Sequence, residues 1–215
     1  MSNLFGPQLW RRDSDTPAIS LGHSGAFDDK HLFAPCVAYE NKRFVLWYSG
    51  SRATVAKRVF NLGMATSTDG INFTKHPNNP VFTLGDGNRS ILTPTILRSP
   101  DGTVLRENGR LRMWFVSTDL VNGNGLHTLQ ESASIDGQTW VPPGEALLEN
   151  VYAPTIIKEE GRYMMWYIDV ASDPWYVRYA ESRDGTIWEA FEGPVLQLDQ
   201  DWEAGRLFYP TVVKC

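Results

Sequence analysis

Cysteine is scarce in this sequence: the 215 residues include only Cys36 and Cys215, and neither belongs to a CxxC pair. Two cysteines are too few for a disulfide framework or a cysteine-rich metal site. The four histidines show no paired spacing typical of metal ligands: His23, His31, His76 and His127. No phosphate-binding glycine loop and no nucleophile elbow is present either. We therefore expect no catalytic metal and no bound cofactor.

Long apolar runs and an excess of basic residues are also absent. No stretch approaches the roughly 18 consecutive apolar residues that a membrane-spanning helix needs. The chain carries 20 Lys and Arg against 25 Asp and Glu, a net charge of −5, so neither nucleic acid nor a membrane surface is an expected partner. Residues 1–12 lack the hydrophobic segment of a secretory signal, which predicts a cytoplasmic location.

Aromatic side chains and turn-forming residues are abundant. The chain contains eight Trp, eight Tyr and ten Phe, together with 18 Gly and 13 Pro. Aromatic residues favour strands, and Gly and Pro interrupt them. Because no stretch of helical length carries a convincing helical period, the sequence predicts an all-β fold.

One sequence unit is present three times and begins a fourth time. Each copy opens with a proline followed by β-branched residues, and these prolines lie about 60 residues apart: Pro35, Pro94, Pro154 and Pro210. A run that is apolar on both faces follows, which predicts a strand covered on both sides. A Ser-x-Asp-Gly-x-x-aromatic motif comes next, typical of a tight turn between two strands. Its aspartates are Asp69, Asp136 and Asp184.

Four strands per unit and this period are typical of the blades of a β-propeller. We predict blades at residues 28–85, 86–148 and 149–199, with residues 200–215 starting a further blade. Residues 10–22 are similar to an outer strand without a blade of its own. A five-bladed ring of such units needs about 300 residues. Either the chain is therefore truncated, or two copies complete each other through open strand edges as a homo-oligomer.

The first strand of each propeller blade lines the central channel, and its beginning faces one mouth together with the loop after the second strand. Polar and aromatic side chains gather at these positions. The candidate substrate-binding residues are Asp28, Arg52, Arg89, Glu149, Asp169, Trp175 and Trp202. Trp175 and Trp202 are the aromatic members of this set.

The Pro-x-Val/Ile starts, the Trp-Tyr-Ser-Gly second strand and the Ser-x-Asp-Gly-x-x-Trp turns resemble the five-bladed propeller glycosidases. That superfamily includes arabinanases, β-xylosidases, invertases, levansucrases and the related mannoside phosphorylases. The resemblance implies cleavage or transfer of a glycosidic bond by three channel acids, with an oligosaccharide or glycoside as the partner. Trp175 and Trp202 can then stack on the apolar faces of sugar rings.

The resemblance assigns the first-blade acid to Asp29, with Asp28 as the alternative, and the general acid to Glu203. For the third acid we choose Asp119, which follows the second strand of its repeat, ahead of Glu149, although neither lies in a motif of that superfamily.

Each of these acids also has a structural interpretation. Asp28 and Asp29 can bind turn amides, Asp119 can pair with a neighbouring arginine, and Glu203 can be a solvated surface acid. The alternative function is therefore a propeller module that binds a saccharide or a protein without catalysis. A sialidase-like site is a third possibility, and it would require Arg52, Arg89 and Arg206 to converge on a carboxylate.

Overall fold

Three four-stranded antiparallel sheets follow one another along the chain. A computed structural model describes residues 9, 11–54, 57–99, 101–119, 125–203 and 205–213. The first sheet contains β1 (His31–Glu40), β2 (Arg43–Ser51), β3 (Asn61–Ser67) and β4 (Thr74–Lys75). The second contains β5 (Leu92–Ile96), β6 (Leu111–Ser117), β7 (Thr128–Ser134) and β8 (Leu148–Glu149). The third contains β9 (Val151–Glu159), β10 (Arg162–Asp169), β11 (Tyr176–Ser182) and β12 (Glu189–Ala190), and a 3-10 turn, Asp201–Glu203, follows it. The predicted all-β fold with four-stranded units is confirmed.

Two buried clusters hold neighbouring sheets together. The first joins Trp47 of β2 to Met113 and Phe115 of β6. The second joins Trp114 of β6 to Met165 of β10. Successive residues of a strand point to opposite faces, so β6 contributes alternate side chains to the two clusters. The second sheet is thus covered on both sides, as its apolar run predicts.

The residue before each repeat proline has a left-handed backbone. The φ angles are 51° at Ala34, 44° at Thr93, 47° at Ala153 and 50° at Tyr209. In all three sheets the pairing of the first and second strands shifts register at this point, which is the mark of a bulge that redirects the side chains next to it. The fourth copy repeats this backbone conformation although its residues are not assigned to a strand. The blade boundaries and the count of five blades stay predictions.

The Asp-Gly motifs form the same turn in each sheet. Asp69 Oδ1 accepts hydrogen bonds from the Ile71 and Asn72 amides at 2.9 and 2.8 Å. Asp136 and Asp184 bind their own turns in the same way. These hydrogen bonds lower the pKa of Asp136 to about 2. The turns lie at the end of the sheets where β3, β7 and β11 finish, so their aspartates are structural.

Residues 11–22 contain no assigned strand. They lie beside the outer edge of the first sheet, where the Ala18 carbonyl accepts a hydrogen bond of 3.3 Å from the Phe73 amide. Ile19 packs against the same small core cluster as Phe73. Their predicted role as the outer strand of another blade stays a prediction.

Candidate functional site

Strand pairing places the expected functional positions at one end of all three sheets. His31 at the start of β1 pairs with Ser51 at the end of β2, and Val151 at the start of β9 pairs with Asp169 at the end of β10. Leu92 of β5 pairs with Val116 near the end of β6. We call this end the mouth. The loops that follow β2, β6 and β10 all emerge there.

A cavity of about 600 Å³ lies at the mouth, and we call it the mouth cavity. One side chain from each sequence repeat reaches it, always two residues before the repeat proline: Phe33, Leu92, Tyr152 and Phe208. The remaining lining residues come from the chain before β1 and from the mouth loops: Leu21, Lys30, His31, Leu32, Arg58, Phe60, His127 and Trp175. The bulge before each proline explains why these four repeat positions reach one space.

Aromatic rings form much of the cavity wall. The ring of Trp175 lies 5.3 Å from that of Phe208 and 6.1 Å from that of Tyr152, measured between centroids. Phe33 and Phe60 are 4.9 Å apart. Aromatic surfaces of this kind suit the apolar faces of sugar rings. Trp175 is thus part of this wall, and its role in substrate binding stays a prediction.

The polar groups of the mouth cavity are basic or neutral. Lys30 and Arg58 line it together with His31 and His127, whereas no Asp or Glu of the described chain does. Burial lowers the pKa of His127, which favours the neutral imidazole. Burial, followed by the hydrogen bond with the Tyr209 hydroxyl, raises the pKa of Tyr152. The Tyr152 hydroxyl therefore stays protonated and can donate or accept a hydrogen bond.

A second cavity, of about 540 Å³, lies beside the first, and we call it the rim cleft. Arg52, Lys57 and Arg89 contribute its charged lining. Arg89 is held by Asp86, whose Oδ2 accepts a hydrogen bond of 2.5 Å from Arg89 Nε. Partial burial raises the pKa of Asp86, but hydrogen bonds from the backbone and side chain of Arg89 outweigh it and lower the pKa to about 2. Asp86 is therefore ionised and fixes the Arg89 side chain at the cleft.

Asp29 lies at the mouth, immediately before Lys30 and the start of β1. Its Oδ2 accepts a hydrogen bond of 2.8 Å from the Gly25 amide. Its Oδ1 is buried and has no hydrogen-bond partner. A buried carboxylate oxygen without a partner is uncommon, because leaving it unsatisfied costs free energy.

Asp119 and Asp169 lie at the mouth ends of the second and third sheets. Asp119 forms a backbone bridge with Arg89, so the arginine and the acid expected at the mouth are neighbours. Asp169 is 6% exposed, and its carboxylate accepts hydrogen bonds from the Ala171 amide at 2.9 Å and Arg178 Nη1 at 3.3 Å. Asp169 therefore orders the loop after β10.

Four other predicted site residues lie away from both cavities. Asp28 is 1% exposed and is bound by Lys75 Nζ at 2.5 Å and the Tyr48 hydroxyl at 2.9 Å, so its carboxylate is engaged by side chains of the chain itself, and its substrate-binding role stays a prediction. Glu149 pairs with Thr128 as part of β8 and so lies on the outer strand of the second sheet rather than at the start of an inner strand. Glu203 Oε2 binds the amides of Asp199 and Gln200 at 2.7 and 2.9 Å. Trp202 is 80% exposed.

The three arginines of the sialidase-like hypothesis do not line one cavity. Arg52 and Arg89 share the rim cleft, whereas the Arg206 guanidinium lies over the Trp175 ring, 4.6 Å from its centroid. Four further residues line the mouth cavity although they were not predicted as site residues: Phe33, Phe60, His127 and Tyr152. Two of these residues, Phe33 and Tyr152, could have been found from the sequence, because each lies two residues before a repeat proline.

Neither a metal-binding cluster nor a membrane-spanning helix is found among the described residues. No group of three or more His, Cys, Asp and Glu side chains is arranged to hold a metal ion within that part of the chain. No helix among the same residues is both long enough and apolar enough to cross a membrane.

The fold matches those of solved glycoside hydrolases. One structure described as a glycoside hydrolase superposes with a TM-score of 0.69 at 15% identity, over 89% of this chain and 64% of its own. A thermostable family-43 glycoside hydrolase gives 0.64 at 20% identity, over 83% of this chain and 60% of its own. A protein of the GH130 family of mannoside phosphorylases, described as containing hydrolases of β-1,2 mannosidic linkages in Candida mannan, gives 0.61 at 19% identity, over 84% and 57%.

This chain therefore has the fold of the β-propeller glycoside hydrolases, as its sequence motifs predict. No protein-family model matches it. It is 25% identical over 211 residues to uncharacterized proteins from two strains of Mycobacterium tuberculosis, CDC 1551 / Oshkosh and ATCC 25618 / H37Rv, and the match covers 91% of this chain and 67% of each relative. The chain spans less than two thirds of the length of the three solved structures described above.

Proposed function

We propose that this chain belongs to a carbohydrate-active protein that binds a glycoside in the mouth cavity and cleaves or transfers its glycosidic bond. The observation that carries the proposal is the convergence of equivalent positions, two residues before the repeat proline, from four sequence repeats on one aromatic-walled cavity. A sugar ring has an apolar face and a polar edge. It can stack on Trp175 or Tyr152 while its hydroxyls exchange hydrogen bonds with Lys30, His31 and the Tyr152 hydroxyl.

Asp29 is the carboxylate that we propose for the first catalytic step. Its Oδ1 is buried and has no hydrogen-bond partner. Catalysis by Asp29 therefore requires substrate binding to expose this oxygen, whose lone pairs can then accept a proton from water or attack an anomeric carbon. Glycoside cleavage also needs a second carboxyl group that protonates the leaving oxygen, and the separation of the two sets inversion or retention. In this proposal Glu203 donates that proton and Asp119 orients the reacting groups.

The alternative, saccharide binding without catalysis, is favoured by one specific observation. No Asp or Glu of the described chain lines the mouth cavity, and the Glu203 carboxylate is engaged by the amides of its own turn. Catalysis by Glu203 therefore requires those two hydrogen bonds to be replaced and the carboxylate to reach the mouth cavity when substrate binds. The aromatic wall serves both functions equally well.

A panel of aryl glycosides and oligosaccharides, screened for binding and for turnover, tests both functions. Trp175→Ala and Tyr152→Ala should each weaken binding about tenfold, as expected for the loss of one ring contact. Phe191→Ala is the matched control, because this 49%-exposed ring packs at a tilt against Tyr179 and does not line the mouth cavity. Equal binding by all three variants, or no binding of any saccharide by the parent chain, would contradict the proposed site.

Turnover separates the two functions. If the chain is catalytic, Asp29→Asn should abolish product formation, while saccharide affinity stays within about twofold. The asparagine side chain has the shape of aspartate but cannot accept the proton. Binding without any turnover by the parent chain would favour the binding module. Turnover that survives in Asp29→Asn would exclude Asp29 as the first-step carboxylate.

We also propose that a second copy can cover the exposed apolar side chains of the third sheet's outer segment and of the fourth repeat. Val195 and Leu196 are 53% and 55% exposed, and Val213 is 71% exposed. Apolar groups next to unpaired strand edges favour association. Light scattering should then give a mass that rises with concentration toward twice that of the chain. A constant monomer mass would contradict this assembly.

A further inference from the structure

The two cavities at the mouth share an unusual charge distribution. Lys30 and Arg58 line the mouth cavity, and Arg52, Lys57 and Arg89 line the rim cleft. Over the described residues, none of the chain's 25 Asp and Glu lines either cavity. The chain as a whole has a net charge of −5, so the basic lining does not follow from composition.

One short segment separates the two cavities. Residues 57–60 lie between β2 and β3, and their side chains alternate between the two spaces. Lys57 and Val59 line the rim cleft, whereas Arg58 and Phe60 line the mouth cavity. A single backbone segment therefore separates the two cavities. One ligand can extend over this segment from the mouth cavity into the rim cleft.

The cations of the rim cleft are available to an external anion to different degrees. Arg89 is tied to Asp86 through Nε, which fixes the guanidinium in place. Neither Arg52 nor Lys57 takes part in any of the ion pairs found within the described chain. Both are exposed, so their charges face solvent rather than a structural partner.

We propose that the saccharide bound at the mouth is anionic, with its sugar ring in the mouth cavity and its acidic group in the rim cleft. This inference rests on the proposed saccharide site and adds the substrate class. A carboxylate or a phosphate ester fits the cleft, because a guanidinium presents paired donors that match either group. Arg52 and Lys57 supply the charge, and Arg89, held by Asp86, supplies a donor in a fixed position.

Matched triplets of oligosaccharides test the proposal. Each triplet has one neutral member, one with a carboxylate at C6 and one with a phosphate at C6, so that the ring and the linkages stay constant. At least one of the two anionic members should bind about tenfold or more tighter than the neutral member, as expected for hydrogen bonds to a charged group. The preference should shrink as the salt concentration rises from about 0.05 to about 0.5 M, because salt screens exposed charges. Comparison of the carboxylate and phosphate members identifies the source of the charge.

Charge-removing variants locate the effect. Arg52→Gln and Lys57→Gln should each weaken binding of the anionic member about tenfold, with no change for the neutral member. Arg183→Gln is the control, because it removes one positive charge from an exposed residue of the Asp-Gly turn at the opposite end of the third sheet. Thermal melts of all variants check that they fold.

The outcomes separate this inference from the proposed function. Equal affinity for all members of a triplet, or equal losses in the rim-cleft variants and the Arg183→Gln control, would overturn the anionic substrate class and leave saccharide binding intact. Failure of every member to bind would overturn both. Weaker binding of every triplet member by Trp175→Ala, with an unchanged preference for the anionic member, would support both the saccharide site and the anionic substrate class.

Discussion

The indole nitrogen of Trp114 donates a hydrogen bond of 2.8 Å to the carbonyl oxygen of Gly185, so the second strand of one sheet is fastened to the Asp-Gly turn of the next. Trp47, at the same repeat position, makes the same contact with Gly137 at 2.9 Å. The tryptophan and the glycine are both elements of the repeat, and together they fix how neighbouring sheets pack.

Removal of this indole nitrogen should loosen the packing of the sheets. We expect Trp114→Phe and Trp47→Phe each to lower the free energy of unfolding by about 1 kcal/mol for the lost hydrogen bond, with a further loss for the smaller ring. Trp166→Phe is the comparison, because this equivalent tryptophan is only half-buried. Urea unfolding measures the difference, and a loss in Trp166→Phe as large as in the other two would contradict the assigned contact.

Gly185 should not tolerate a side chain. Its φ is +80°, and a Cβ there would lie 2.7 Å from Arg112 Nη2 and 2.8 Å from Trp114 Cζ2. Gly185→Ala should cost about 1 to 2 kcal/mol for the left-handed backbone, with about 1 to 3 kcal/mol more for overpacking.

Gly161→Ala is its matched control, because Gly161 has a φ of +78° and no atom within 4 Å of the added Cβ. Differential scanning calorimetry of both variants separates backbone strain from steric overlap. Equal losses would mean that the Trp114 and Arg112 side chains move away at no cost.

The buried ion pair between Asp28 and Lys75 should be sensitive to loss of one partner. Lys75→Met leaves the Asp28 carboxylate buried with the Tyr48 hydroxyl as its remaining side-chain partner, and we expect a loss of about 3 kcal/mol. The double variant Asp28→Asn/Lys75→Met should recover part of it. Arg162→Met is the control, since the Arg162 side chain is 60% exposed in its pair with Glu181 and should lose less than about 1 kcal/mol.

Acid should destabilise the contact between the second and third sheets through Glu107. Partial burial raises the pKa of Glu107, but hydrogen bonds from Lys158, Tyr163 and Arg112 outweigh it and lower the pKa from 4.5 to about 2. The folded state therefore binds this proton less readily than the unfolded state. The stabilisation is complete above pH 4.5 and is lost as the pH falls from there toward 2.

Urea midpoints measured across this pH range should fall with pH in the parent chain and fall less steeply in Glu107→Gln. Glu145→Gln is a suitable control because Glu145 is exposed. Parallel curves for the parent chain and Glu107→Gln would contradict the assigned role of Glu107.

The repeat made most of the fold predictable. A proline start, a second strand apolar on both faces and an Asp-Gly turn are local signals, and each depends on residues close together in the chain. The four-stranded sheets and the structural role of Asp69, Asp136 and Asp184 followed from them. The position of the mouth also followed, because antiparallel pairing places the start of β1 beside the end of β2.

The candidate site was less predictable, because side-chain environments depend on distant partners. Asp28 is buried, and Lys75 from β4 pairs with its carboxylate, but nothing near Asp28 in the sequence indicates that partner. Glu149 lies on an outer strand because two residues of β8 pair with β7 before the chain crosses to the third sheet. The repeat shows that Phe33 and Tyr152 occupy equivalent positions. It does not show that their side chains line the same cavity.

The sequence by itself determined that this protein is built from repeated antiparallel sheets, because alternation, turn residues and period are properties of neighbouring residues. Only the tertiary structure decided which charges meet at the mouth. Arg52, Lys57 and Arg89 converge there because the bulged inner strands and the loops between β2, β3 and β5 bring separate segments together, and such convergence depends on packing between sheets rather than on any local pattern.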